Sequence, residues 1–261
     1  MKIVTSAANA RYKTLLKLAH SSRERKEREL SLLDGIHLVA AYRAHVGVPR
    51  EVVVSKACLD DPEIQALLKS LMPLEPTILS DALFRHLSSV ETPTGVLAAV
   101  HTPRPRVIPS DIEACVMLED VQDPGNLGSI LRSAAAAGVK QAFLSRGSVH
   151  GWSPRVLRAG MGAHFMIQIH EQCDLIALAG GFAGRVIATS GRAETSIFDC
   201  DLTGRIALLI GNEGAGLSDA LLRMAHDTVA IPMPGRVESL NVAAAAAICL
   251  FERVRQLAVR R

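Results

Sequence analysis

The stretch LEDVQDPGNLGSILRSAAAAGV, residues 118–139, reads as one structural unit. An apolar run ends at Leu118, a Pro-Gly pair turns the chain, Asn126 stands as an N-cap, and an alanine-rich helix follows until Gly138 closes it. The same alternation continues on both sides. Short apolar runs at 114–119, 141–145, 164–169, 185–190, 206–211 and 228–231 are separated mostly by helical stretches. That order predicts an α/β domain whose mostly parallel sheet is covered on both faces. In such sheets ligands bind beyond the carboxyl ends of the strands, so the loops after these runs are where a site belongs.

Upstream, HTPRPRVIPSD (101–111) carries three prolines in eleven residues, a composition that breaks helix and strand alike. It divides the chain into a smaller α/β domain at 1–104, a linker at 105–111 and the larger domain at 112–261. In the first part 51–55 and 95–100 read as strands, 35–46 and 62–71 have helical periodicity, and no catalytic signature is present.

Composition narrows the function. At 261 residues and 49% hydrophobic the chain can bury a sizeable core, which excludes wholesale disorder. Only 3% of residues are aromatic, too few for a protein that reads bases mainly by stacking. The net charge of +3 permits a phosphate-bearing partner. The excess is concentrated: residues 1–30 hold Lys2, Arg11, Lys13, Lys17, Arg23, Arg25, Lys26 and Arg28 against Glu24, Glu27 and Glu29. Five dispersed cysteines without a CxxC pair indicate a reducing compartment and no zinc site. The N-terminus has no apolar signal core and no run is long enough to span a bilayer, so the expectation is a soluble cytoplasmic protein.

Three strand ends carry polar constellations. In the first, Arg132 sits within the helix that follows Asn126 among Ile130, Leu131, Ala134 and Ala135, which predicts a packed stem and a head aimed at the strand end. A cation there suits an anionic or polarised substrate oxygen, although a solvated helical arginine has the same local sequence. In the second, LLIGNEGAGLS (208–218), the glycines fall as Gly-x-x-Gly-x-Gly, which matches neither a P-loop nor a dinucleotide fingerprint. Glu213 inside that turn would repel phosphates, so the loop suits a neutral or cationic ligand; glycines alone also describe a tight turn. In the third, IPMPGRVESLN (231–241), two prolines and a glycine constrain the loop before Ser239 and Asn241 project from the start of a helix, where both can cap or bind.

Taken together these motifs resemble the SpoU/TrmH family of RNA ribose 2′-O-methyltransferases, within the knotted SPOUT class. The resemblance covers roughly 112–257. Its first motif is carried by Asn126, Gly128 and Arg132, its second by Gly211, Glu213, Gly214 and Gly216, and its third by Ile231 through Val242. Ala243 departs from the serine that relatives often have there. The N-terminal part is similar, more loosely, to the family's L30e-like substrate-binding domain.

The resemblance implies a deep trefoil knot whose loops hold S-adenosylmethionine, and in-line attack of a ribose 2′-hydroxyl on its methyl group with no metal. It implies that Arg132 stabilises the 2′-oxygen, that Asn126 and Ser239 orient the ribose and Arg132, and that Glu213 and Asn241 shape the pocket. The cofactor would rest on Thr189, Gly211, Ile231, Met233 and Leu240. RNA, rRNA ahead of tRNA, would meet Arg11, Arg23, Arg25, Arg155 and Arg158. A homodimer through the C-terminal domain is also implied. The reading from a different class is a non-catalytic RNA-binding or ribosome-assembly protein that retains the fold.

Overall fold

The computed structural model describes residues 3–105 and 107–260, so Lys2 of the basic N-terminus and Arg106 of the linker lie outside the described residues. The chain forms two compact units, Met1–Pro103 with Trp152–Phe165, and Arg104–Gly151 with Met166–Arg261.

The first unit contains β1 (Ile3–Val4), α1 (Ala10–His20), α2 (Ser22–Arg28), β2 (Leu30–Asp34), α3 (Ile36–His45), β3 (Glu51–Ser55), α4 (Pro62–Ser70), β4 (Thr77–Leu79), α5 (Asp81–Leu87) and β5 (Val96–His101). Its sheet is mixed, in the order β1-β4-β3-β5-β2, with β5 antiparallel to both neighbours. Tyr12, Leu15 and Leu18 recur every third residue on α1 and bury one stripe against Leu30, Leu32, Val53, Leu97 and Ala99, alternate positions of their strands. Ser21 caps α2, which ends at Glu29 in the left-handed region (φ 54°).

Arg25 is placed differently from the sequence expectation. It is buried, and its Nη1 donates to the carbonyls of Leu18 (2.6 Å) and Ala19 (3.2 Å) at the end of α1. The guanidinium satisfies helix-terminal carbonyls and is not on offer to RNA.

The second unit contains β6 (Ala114–Leu118), α6 (Pro124–Ala136), β7 (Gln141–Ser145), β8 (Gln168–Cys173), α8 (Leu175–Gly180), β9 (Arg185–Thr189), β10 (Thr195–Ser196), β11 (Ile206–Ile210), α9 (Asp219–Leu222), β12 (Asp227–Ala230) and α10 (Val242–Val259). All seven strands run parallel in the order β10-β12-β9-β11-β6-β7-β8. The central strands are buried on both faces, which explains their unbroken apolar sequences. Cys115 lies in this core and Cys249 is buried on α10, which packs against α6. Burial pushes both thiols up to about 12, so they act as small hydrophobes.

Between β7 and β8 the chain contributes a segment to the first unit. Here α7 (Pro154–Gly160) buries Val156 and Leu157 and exposes Arg155 and Arg158. Trp152 meets His164 edge-on, and Phe165 meets Tyr42 of α3 in the same way. This packing corrects the strand expected at 164–169: Ala163–Phe165 is a 3-10 turn, and the strand begins only at Gln168. Among the described residues no helix is long and apolar enough to cross a membrane.

Candidate functional site

Parallel pairing sets strand ends side by side. Register links Val229 of β12 to Thr189 of β9, Ala188 to Leu209 of β11, and Ile210 to Leu118 of β6. The loops leaving β6, β11 and β12 are the three that carry the polar motifs.

The loop after β6 starts α6 earlier than the sequence reading expects. Asp123 is the N-cap, its Oδ1 accepting from the Asn126 amide at 2.8 Å, and Pro124 takes the first helical position. Asn126 therefore lies within the first turn, and its side chain is free of capping duty. Its Nδ2 donates to Glu213 Oε1 (3.1 Å) and its Oδ1 accepts from Asn241 Nδ2 (2.8 Å). One amide thus joins all three loops. The Asp-Pro pair at 123–124 was the available signal for the earlier start.

The glycine loop after β11 folds back on itself. A Cβ at Gly211 would lie 2.2 Å from the Gly216 carbonyl carbon, so only glycine permits this closure. Asn212, which carries no signal of its own in the glycine motif, exchanges backbone hydrogen bonds with Gly216 at 3.0 Å each. Glu213 accepts from Gln122 N (3.3 Å), Asp123 N (3.0 Å) and Asn126 Nδ2. Partial desolvation by itself would raise its carboxyl, but the Asn126 and backbone donors prevail and hold it below the usual carboxylate range. Glu119 adds a further tie, accepting from the Ser218 amide and hydroxyl at 2.7 Å each.

In the third loop, Asn241 caps α10 by accepting from Ala243 N (2.9 Å) and Ala244 N (3.3 Å) through Oδ1, while Nδ2 reaches Asn126. Before it, residues 232–240 make no hydrogen bond to any described residue. Ser239 and Leu240 are exposed, the latter 38%, and Ile231 and Met233 are half-buried. Thr189 spends its hydroxyl on the Leu209 carbonyl at 3.0 Å.

A run of unspent main-chain donors and acceptors flanked by accessible aliphatic side chains fits the purine and sulfonium of S-adenosylmethionine. Among the described residues no group of three His, Cys, Asp or Glu side chains is placed to hold a metal.

Arg132 lies about two turns into α6 and is exposed. It makes no hydrogen bond or ion pair to a described residue. In the first unit Arg11 pairs with Glu51 (2.5 Å) and Arg23 with Glu27 (2.6 Å), both arginines remaining exposed.

This all-parallel α/β unit, whose strand-end loops are cross-linked by the Glu213 carboxylate reaching from the glycine turn to the loop after β6, has the fold of the solved SpoU methyltransferases. Residues 113–251 match the model of the SpoU rRNA Methylase family, and the chain belongs to that family. Residues 9–98 match the MRM3-like substrate binding domain. The chain is 31% identical over 256 residues to the 23S rRNA (guanosine(2553)-2′-O)-methyltransferase RlmP of Bacillus subtilis (strain 168), covering 96% of this chain and 98% of the relative. The AdoMet-bound rRNA methyltransferase from Sinorhizobium meliloti superposes with a TM-score of 0.85 at 28% identity, over 98% of both chains. The crystal structure of an RNA 2′-O ribose methyltransferase does so at 0.85 and 29%, over 97% of this chain and 98% of the other.

Proposed function

We propose that this protein is an S-adenosylmethionine-dependent methyltransferase acting on a ribose 2′-hydroxyl of rRNA. The observation that carries the reading is the hydrogen-bonded series Asn241–Asn126–Glu213, which gathers three strand-end loops into one rigid arrangement. A protein that only binds RNA gains nothing from such a series, which weighs against the non-catalytic alternative.

S-adenosylmethionine, when bound, supplies a methyl group already activated on a sulfonium. The main chain of Gly211, Ile231, Met233 and Leu240, with Thr189 beside them, holds the cofactor. Arg132 has the chemistry to stabilise the alkoxide that develops on the attacking oxygen; its guanidinium offers only donors and no acceptor, so it is a charge stabiliser and not a base. Ser239, exposed and without a partner among the described residues, orients the ribose. Asn126, Glu213 and Asn241 spend their polar atoms on one another, on main chain or on the Asn212 amide, so they set loop geometry and leave substrate contact to Arg132 and Ser239.

RNA binding falls to residues 1–104 and to α7, through Arg11, Arg23, Arg155 and Arg158, which are exposed. Five free thiols suit a reducing cytoplasm. Pairing of two copies through the C-terminal domain would cover apolar residues that α10 leaves outward, such as Phe251, 49% exposed.

Incubating the protein with methyl-labelled S-adenosylmethionine and either rRNA or tRNA, then digesting to nucleosides, tests the reading. A 2′-O-methylnucleoside from rRNA is expected. Cofactor binding with no methyl transfer to any RNA would favour the binding-only alternative.

A further inference from the structure

Asn212 lies between the two residues of the glycine loop on which the proposed function rests, Gly211 and Glu213, and its side chain is committed at both ends. Its Oδ1 accepts from Gly214 N and Ala215 N, both at 2.9 Å, which shapes the turn. Its Nδ2 donates to the Asp120 carbonyl at 2.8 Å and lies 3.4 Å from Glu213 Oε2. Asp120 itself is held in the left-handed region (φ 51°), with its amide donating to Ser145 Oγ at 2.8 Å and Ser145 Oγ donating back to its carboxylate at 2.5 Å. The carbonyl that Asn212 grips is thus a fixed point on the loop after β6.

We propose that Asn212 is a positioning residue for methyl transfer: its amide anchors the glycine loop to Asp120 and turns the Glu213 carboxylate toward Asn126, and through Asn126 toward Asn241. The geometry separates two duties within one side chain. The oxygen shapes the turn. The nitrogen aligns the neighbouring loop and the carboxylate. A residue that only shaped the loop would need the oxygen alone.

This inference rests on the methyltransferase reading, and Asn212→Asp tests it. The substitution is nearly isosteric and keeps an acceptor for the Gly214 and Ala215 amides, but it replaces the donor by a charged oxygen that faces the Asp120 carbonyl and Glu213 Oε2. The variant should melt within a few degrees of wild type and bind S-adenosylmethionine within about threefold by calorimetry, while kcat on rRNA falls at least about tenfold with KM little changed. In a Glu213→Gln background, followed by single-turnover kinetics at excess enzyme, adding Asn212→Asp should cost less than about threefold, because the group it orients has already been altered. Wild-type activity with the single variant within twofold of it would overturn the role of Asn212 alone. So would an equal loss in both backgrounds, which marks a structural defect. An inactive wild-type protein would overturn the reading of the whole site.

Discussion

Replacing Asn126 by Asp changes one atom of interest. The Nδ2 that donates to Glu213 Oε1 at 3.1 Å becomes an oxygen, while the oxygen that accepts from Asn241 stays in place. The variant loses a hydrogen bond to a charged group, a contribution of about 1.5–3 kcal/mol. It also sets two carboxylates about 3 Å apart, a repulsion of about 1–5 kcal/mol between the limits of bulk water and an effective dielectric near 20. The residues are partly exposed, so the lower part of that range applies, and a combined penalty of about 3 kcal/mol corresponds to roughly a 100-fold loss in kcat/KM at pH 8.

The penalty should depend on pH with a definite sign. In wild type the Glu213 carboxyl is held below its ordinary range by its donors, so its contribution is fully present above about pH 4.3 and is lost only as pH falls through the folded value. The wild-type site therefore does not change through this group between pH 6 and 8. In the variant, like charges raise the affinity of the pair for one proton, and that proton restores a donor between the two oxygens. A penalty of about 3 kcal/mol raises the proton affinity of the pair by about two units at most, so the deficit relative to wild type should shrink as pH falls below about 6. Methyl incorporation into rRNA, measured for both proteins at pH 5, 6 and 8 and expressed as a ratio, checks this. A ratio that stays flat with pH, or a loss under threefold at pH 8, would refute the coupling of Asn126 to Glu213.

Four further outcomes follow from the structure. Arg132→Ala should keep the fold and cofactor affinity and lose at least about 100-fold in rate, with Arg132→Lys also poor, in methyl-transfer kinetics. Leu240→Asp should weaken S-adenosylmethionine binding in calorimetry while Leu240→Met is nearly silent, because Leu240 is accessible beside unspent main-chain groups. Arg25→Ala should destabilise the first unit by about 2 kcal/mol in thermal denaturation, by stripping the last carbonyls of α1 of a buried donor, with no salt-dependent change in RNA affinity. Light scattering at micromolar concentration should give about twice the chain mass of 27.9 kDa; a fully active particle at the single-chain mass would rule the dimer out.

Much of the larger unit is legible in sequence because its strands are buried on both faces, and burial leaves unbroken apolar runs such as IALLI at 206–210. The smaller unit is less so. Its strands β1 and β4 are two and three residues long, and β2 (LSLLD) follows directly on a charged helix, so short length defeats periodicity. The strand misplaced at 164–169 failed for a different reason: His164 and Phe165 are hydrophobic in pattern because they pack on Trp152 and Tyr42, not because they lie in the sheet. At the site, residue types with obvious chemistry stood out, but their connections did not. That Asn126 bridges two loops instead of capping a helix depends on Asp123 taking the cap, and the work of Asn212 depends on where Asp120 sits in space. Arg25 shows the converse, since local charge density cannot distinguish a surface cation from one turned inward onto carbonyls.

The double duty of Asn241 ties the order of a loop to the order of a helix. One atom of its amide receives the first N–H groups of α10 and the other reaches Asn126, so the bridge is aimed only while that turn of helix is wound. Fraying of the first turn of α10 and loss of the clasp are therefore a single event, and whatever holds α10 down also holds the three loops together.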